Sequence, residues 1–179
     1  MARCLIIGCG CRGQSLAREL RHGGHAVRGT TRDPTRCADI EAAGGEPFVG
    51  DPDRVATLMA ALEHVAITYI LLGSASGAPE HLADLHGTRL QMLLERSLDT
   101  TVRGIVYEAS GTVDAGVLQA GAQRVRTACV GSSIPYLLLD ADPSEHDLWL
   151  SSASGAIGLL LAGSLELRSG RIDPPGSSV

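Results

Sequence analysis

Apolar residues recur along the chain in two alternating rhythms. Short runs rich in leucine and β-branched side chains fall at 4–7 (CLII), 25–31 (HAVRGTT), 46–49, 65–72 (VAITYILL), 104–108 and 134–140 (IPYLLLD). The run at 65–72 is near-continuous rather than alternating, as in a parallel strand covered on both faces. After each run come apolar positions three and four apart, the spacing of a helix face. In the first helical stretch these are Leu16, Ala17 and Leu20; in the fourth, over 79–97, they are Leu82, Leu85, Leu90, Leu93 and Leu94. Further helices are predicted at 34–43, 53–62 and 113–130, then from Ser144 toward Leu150, with a second piece over 151–163. Punctuation agrees. Gly23-Gly24 and Gly44-Gly45 close helices, while Asp33-Pro34 places a capping carboxylate before a residue suited to the first helical position.

Strand followed by helix, six times over without an internal repeat or linker, predicts an α/β fold. The expected form is a three-layer, doubly wound parallel sheet of six strands in the order 3-2-1-4-5-6. One domain is expected over 1–167, with a flexible tail over 168–179 that carries Pro174-Pro175-Gly176-Ser177-Ser178. Such sheets bind ligands at the carboxyl ends of their strands, at the switch point between the first and fourth.

The chemistry at that edge begins with Gly8-Cys9-Gly10-Cys11-Arg12-Gly13, a G-x-G-x-x-G between a strand and a helix. Gly8 supplies the tight turn, Gly10 admits a pyrophosphate to the backbone, and Gly13 lets helix and strand pack closely. The helix end behind the loop offers free N–H groups to phosphate. The pattern therefore predicts dinucleotide binding. Cys11 and Arg12 belong to the loop, and Arg12 is a candidate second cation. The second strand ends in Thr30-Thr31-Arg32, with no carboxylate before Asp33. A guanidinium matches a phosphate bidentately. NADP(H) is therefore preferred, with Arg32 on the 2′-phosphate assisted by Thr30 or Thr31. The alternative is NAD(H), with Asp33 on the ribose. Asp51 ends the third strand as an adenine ligand or a helix cap, and Gly73 and Ser74 follow the fourth strand along the ribose and pyrophosphate.

Composition removes other classes. Net charge is −5 with no basic block, and aromatics are 3%, so neither nucleic acid nor an anionic membrane is an expected partner. All 15 basic residues are arginine, which excludes any lysine Schiff base or lysine proton relay. Arg12 interrupts any secretory apolar core, and the run from Ala156 to Ala162 is too short to span a bilayer. Five cysteines without a second zinc-spaced pair read as reduced thiols, so a cytoplasmic protein without a metal is expected.

IIGCGCRGQSLAREL, GHAVRGTTRDP (Gly24 to Pro34), VGDPDRVATL (Val49 to Leu58) and GIVYEASG (Gly104 to Gly111) together resemble the atypical short-chain dehydrogenase/reductases. The similarity is to the NmrA-like and sugar-epimerase-like NAD(P)-binding Rossmann proteins, over roughly residues 3 to 140. It implies NADP(H) held by Gly8, Gly10, Gly13, Thr31, Arg32, Asp51 and Gly73. Active members use Tyr-x-x-x-Lys, and here the pattern departs. There is no lysine, and Gly111 stands four residues after Tyr107. Ser110 and Thr112 occupy the loop where the family places its catalytic serine. Little chain follows residue 140 to supply the substrate-binding region of larger members. The expected function is thus a dinucleotide-binding or sensor protein without the Tyr-Lys pair. The alternative is an NADPH-dependent oxidoreductase acting on a small carbonyl or sugar-nucleotide-like substrate, with Ser110 or His146 as proton donor. A small-molecule substrate or protein partner remains open, as does a homo-oligomer.

Overall fold

The computed structural model describes residues 1–162; the end of the expected domain and the tail expected over 168–179 lie outside the described residues. Six strands form one sheet: β1 (Arg3–Ile7), β2 (Ala26–Thr31), β3 (Glu46–Val49), β4 (Ile67–Ile70), β5 (Gly104–Glu108) and β6 (Tyr136–Leu139). All pairings are parallel, and the order is β3-β2-β1-β4-β5-β6, the Rossmann order predicted from the alternation. Ile7 lies opposite Ile70, which lies opposite Tyr107, so the central strands end level.

Strand residues alternate between the two faces, and each face has its own core. Cys4, Ile6 and Tyr69 pack under α1 (Cys11–His22), α2 (Cys37–Ala42) and α6 (His146–Leu161), with Trp149 fully buried among them. Leu5, Ile7 and Tyr107 face α4 (Leu90–Leu98) and α5 (Ala115–Gly131). The central strands have no solvent-facing side, which is why their sequences read as runs rather than alternations.

Local structure departs from the expected helices in four places. Residues 53–62 form two short 3₁₀ turns, Val55–Leu58 and Ala60–Leu62, instead of one α-helix. Thr57 Oγ1 accepts from Asp51 N–H at 2.8 Å and donates to Arg54 C=O at 2.8 Å. Side-chain bonds of this kind compete with helical backbone bonds. The helix expected over 79–97 is α3 (Pro79–Asp84) and α4 joined through a π turn, Leu85–Arg89. The last segment is one helix rather than two pieces. Asp33 does cap the second helical segment: Oδ1 accepts from Thr35 N–H at 2.9 Å and from Thr35 Oγ1 at 2.7 Å. That segment opens as a 3₁₀ turn over Pro34–Arg36.

Candidate dinucleotide site

The turn after β1 is shaped by Gly8, whose φ of +84° lies in the left-handed region. A side chain there would also put its Cβ 2.5 Å from Leu71 C=O. The loop is tied to β2, because Gly8 N–H donates to Thr30 Oγ1 at 3.2 Å and Cys9 N–H to Thr30 C=O at 3.1 Å. Gly13 packs against Ile6 and the Gly8 carbonyl, so a Cβ there would lie 3.2 Å from Ile6. Gly10 differs from both. It precedes α1 with φ −76°, and nothing lies within 4 Å of where its Cβ would be. The loop thus leaves Gly10 facing open space at a helix N-terminus, the cradle a pyrophosphate requires.

That space is a cavity of about 420 Å³ at the carboxyl edge of the sheet. It brings together Gly8, Gly10, Cys11, Arg12, Gly13, Thr30, Thr31, Arg32 and Ser74, all drawn from the predicted set. It does not include Asp51 or Gly73. Asp51 Oδ1 accepts from Asp53 N–H at 3.1 Å and so shapes its own turn. Gly73 N–H donates to Glu108 Oε2 at 2.8 Å. Thr30 is 2% exposed and supports the loop from behind. Thr31 Oγ1 is bonded to the Asp33 backbone.

Arg12 is already engaged. Its Nη2 donates to Glu108 Oε1 at 3.1 Å and to Ser74 Oγ at 3.0 Å, and its guanidinium lies 5.5 Å from the centre of the Trp149 ring. Glu108 is fully buried and also accepts from Trp149 Nε1 at 3.1 Å. Burial raises its pKa, against the pull of Arg12 and the hydrogen-bond donors around it. A charge at the end of the apolar run GIVYE was visible in the sequence, but its partners come from three other elements.

Sequence reasoning also missed Arg36, Asp53 and His81, which line the same cavity. Arg36 stands four residues beyond Arg32, is exposed at the cavity edge and also pairs with Asp39, its Nε 3.5 Å from Asp39 Oδ2. Asp33, between them, spends its carboxylate on Thr35, which lowers its pKa. Cys9 is buried behind the loop, and burial pushes its thiol up to about 12.

Ser110 lies elsewhere, in an open cavity of about 930 Å³ beyond the ends of β5 and β6. The loops after β4 and β5 pack closely, Gly111 lining this cavity and Ser74 the first: a Cβ on Gly111 would strike Gly73 C=O and come within 2.9 Å of Ser74 Oγ. His146 is the first residue of α6, is exposed and lines neither cavity. Tyr107 is buried, hydrogen-bonded to His86 at 2.7 Å, and so faces no ligand space. Among the described residues no cluster of three or more His, Cys, Asp or Glu side chains could hold a metal, and no helix is long and apolar enough to cross a membrane.

Parallel order, glycine loop and edge cavity together define a Rossmann-type α/β domain. Residues 4–76 match the TrkA-N domain. No curated protein matches the chain in sequence. Among solved structures it is similar to the triphenylmethane reductase of Citrobacter sp. complexed with NADP(H), at 18% identity and TM-score 0.60 over 76% of this chain and 48% of that one. It is also similar to the UDP-glucuronic acid 4-epimerase of Bacillus cereus in complex with NAD, at 16% identity and TM-score 0.59 over 76% and 55%. The UDP-glucose 4-epimerase of Thermotoga maritima aligns at 12% identity and TM-score 0.64 over 76% and 54%. These share the fold, and the chain spans about half the length of each.

Proposed function

We propose that this protein binds NADP(H), in preference to NAD(H), and serves as a dinucleotide-binding or sensor protein without the Tyr-x-x-x-Lys pair. One observation carries the preference. Arg32 and Arg36 line the cavity that Gly8, Gly10 and Gly13 open, while Asp33 is turned into its own cap. The wall where an adenosine ribose would end thus offers two guanidinium groups suited to a 2′-phosphate. Gly10 and the N–H groups opening α1 would hold the pyrophosphate, and Arg12, fixed by Glu108, would border it. When bound, the nicotinamide supplies hydride chemistry; the chain supplies binding and orientation.

A second reading, an oxidoreductase acting on a small carbonyl or sugar-nucleotide-like substrate, is favoured by the 930 Å³ cavity that Ser110 lines. It adjoins the dinucleotide cavity across the Gly73–Gly111 contact, where a substrate would meet the nicotinamide. Ser110 would donate the hydrogen bond to the substrate oxygen, with water as the proton source, since His146 lines neither cavity.

Calorimetric titration with NADPH and NADH tests the first reading. Tighter NADPH binding, with a loss of about tenfold in Arg32→Ala that NADH does not share, is expected for a lost charged contact of about 1.4 kcal/mol. Equal loss for both nucleotides would overturn the assignment. Carbonyl-dependent NADPH oxidation that Ser110→Ala abolishes would establish the second reading over the first.

A further inference from the structure

The 2′-phosphate wall contains a carboxylate that no phosphate site needs. Asp53 Oδ2 lies 3.0 Å from His81 Nε2 and 3.9 Å from Arg32 Nη1. All three side chains line the dinucleotide cavity, with Arg36 on the same wall. His81 comes from α3 and Arg32 from the residue after β2, so the carboxylate joins two separate elements that line the cavity. The His81 ring is backed by the loop after β4, where a Cβ on Gly77 would lie 3.3 Å from it.

We propose that Asp53 and His81 are specificity-determining residues that set the choice between a dinucleotide with a 2′-phosphate and one without. This rests on the reading of Arg32 as the phosphate ligand. Asp53 competes for Arg32 and repels an incoming phosphate. A proton on His81 neutralises Asp53 and adds a third cation to the wall. Histidine is the side chain whose charge changes between about pH 5 and 8. The charged groups around His81 are Asp53 at 3.0 Å, Arg32 and Arg36 lining the same cavity, and Glu80 and Asp84 on its own helix. Phosphate binding therefore favours a protonated His81 ring beside Asp53, and NADPH affinity is expected to fall as pH rises. A free 2′-hydroxyl carries no charge, so NADH affinity lacks this dependence. The phosphate's own second ionisation, near about pH 6, acts with the opposite sign, which makes the histidine variant the necessary reference.

The test is calorimetric titration with NADPH and NADH across about pH 5.5 to 8.5 for wild type, Asp53→Asn and His81→Gln, with thermal melts as the check on folding. Asp53→Asn is expected to raise NADPH affinity by about two- to fivefold relative to NADH affinity, the size of an exposed ion-pair contribution. The NADPH-to-NADH affinity ratio should decline with pH more steeply in wild type than in His81→Gln. A ratio that Asp53→Asn does not move, or pH profiles that run parallel in wild type and His81→Gln, would overturn this proposal while NADPH binding itself stands. Failure of the wild type to bind either nucleotide would overturn the NADP(H) reading and this proposal with it.

Discussion

Gly8 and Gly10 stand two positions apart and are held to glycine for different reasons. Gly8 has a φ of +84° and a carbonyl 2.5 Å from where a Cβ would sit. Gly8→Ala is therefore expected to cost about 1–3 kcal/mol of stability through backbone strain and the push against β4. Gly10 has an ordinary φ of −76° and open space before it. Gly10→Ala should leave the melting temperature of the free protein where it is, yet weaken NADPH binding about tenfold or more, since its methyl meets only what binds. Melts with and without NADPH separate the two effects. A Gly10→Ala protein that binds NADPH as tightly as wild type would remove the pyrophosphate cradle. Both glycines were legible in the motif, but the division of labour between folding and binding was not. It depends on what faces each Cα, and Leu71, which faces Gly8, lies just after β4, far along the chain.

The π turn at Leu85–Arg89 shows what a helix gives up to serve its neighbours. Its His86 is buried, with Nε2 at 3.2 Å from Leu72 C=O and Nδ1 at 2.7 Å from Tyr107 Oη. A carbonyl only accepts, so Nε2–H donates and Tyr107 O–H donates to Nδ1. Burial lowers the His86 pKa, in keeping with this neutral tautomer. The turn thus anchors β4 and β5 while Leu85 lines the dinucleotide cavity. Tyr107 in turn requires Gly121 in α5, because a Cβ there would overlap the phenol oxygen. Alanine is favoured over glycine in a helix interior by about 1 kcal/mol, and overpacking costs about 1–3 kcal/mol. Gly121→Ala is accordingly expected to destabilise the protein in urea melts. Gly155→Ala and Gly158→Ala in α6, where nothing lies within 4 Å, should stabilise it by up to about 1 kcal/mol each. The leucine spacing announced this helix correctly. It carried no sign of the π turn, because the bonds that hold His86 come from β5 and the loop after β4.

At the scale of the molecule, Glu108 ties the site together: it receives hydrogen bonds from Arg12 in the glycine loop, Gly73 after β4 and Trp149 in α6. Its folded-state pKa is raised from the ordinary 4.5. Below about pH 4.5 folded and unfolded chains both hold the proton. As pH rises, the unfolded chain ionises first, so folding loses stability until Glu108 itself ionises. Wild-type stability is therefore expected to fall relative to that of Glu108→Gln as pH rises from about 4.5 toward neutrality, read from urea melts at several pH values. Parallel profiles would show an ordinary carboxylate. How much of this could be read beforehand follows from range. Parallel strand order, the glycine loop, the Asp33 cap and the arginine at the β2 tip are encoded by residues within one turn or one strand–helix unit, and periodicity exposes them. The sequence by itself therefore determined the α/β class, the dinucleotide cradle and the absence of a Tyr-x-x-x-Lys pair. Only the tertiary structure decided that Arg12 belongs to Glu108, that Arg36, Asp53 and His81 share a wall with Arg32, and that Ser110 faces a separate cavity. Those decisions rest on contacts between residues 21 to 96 positions apart, such as His81–Asp53, Arg12–Ser74 and Arg12–Glu108, which no local pattern records.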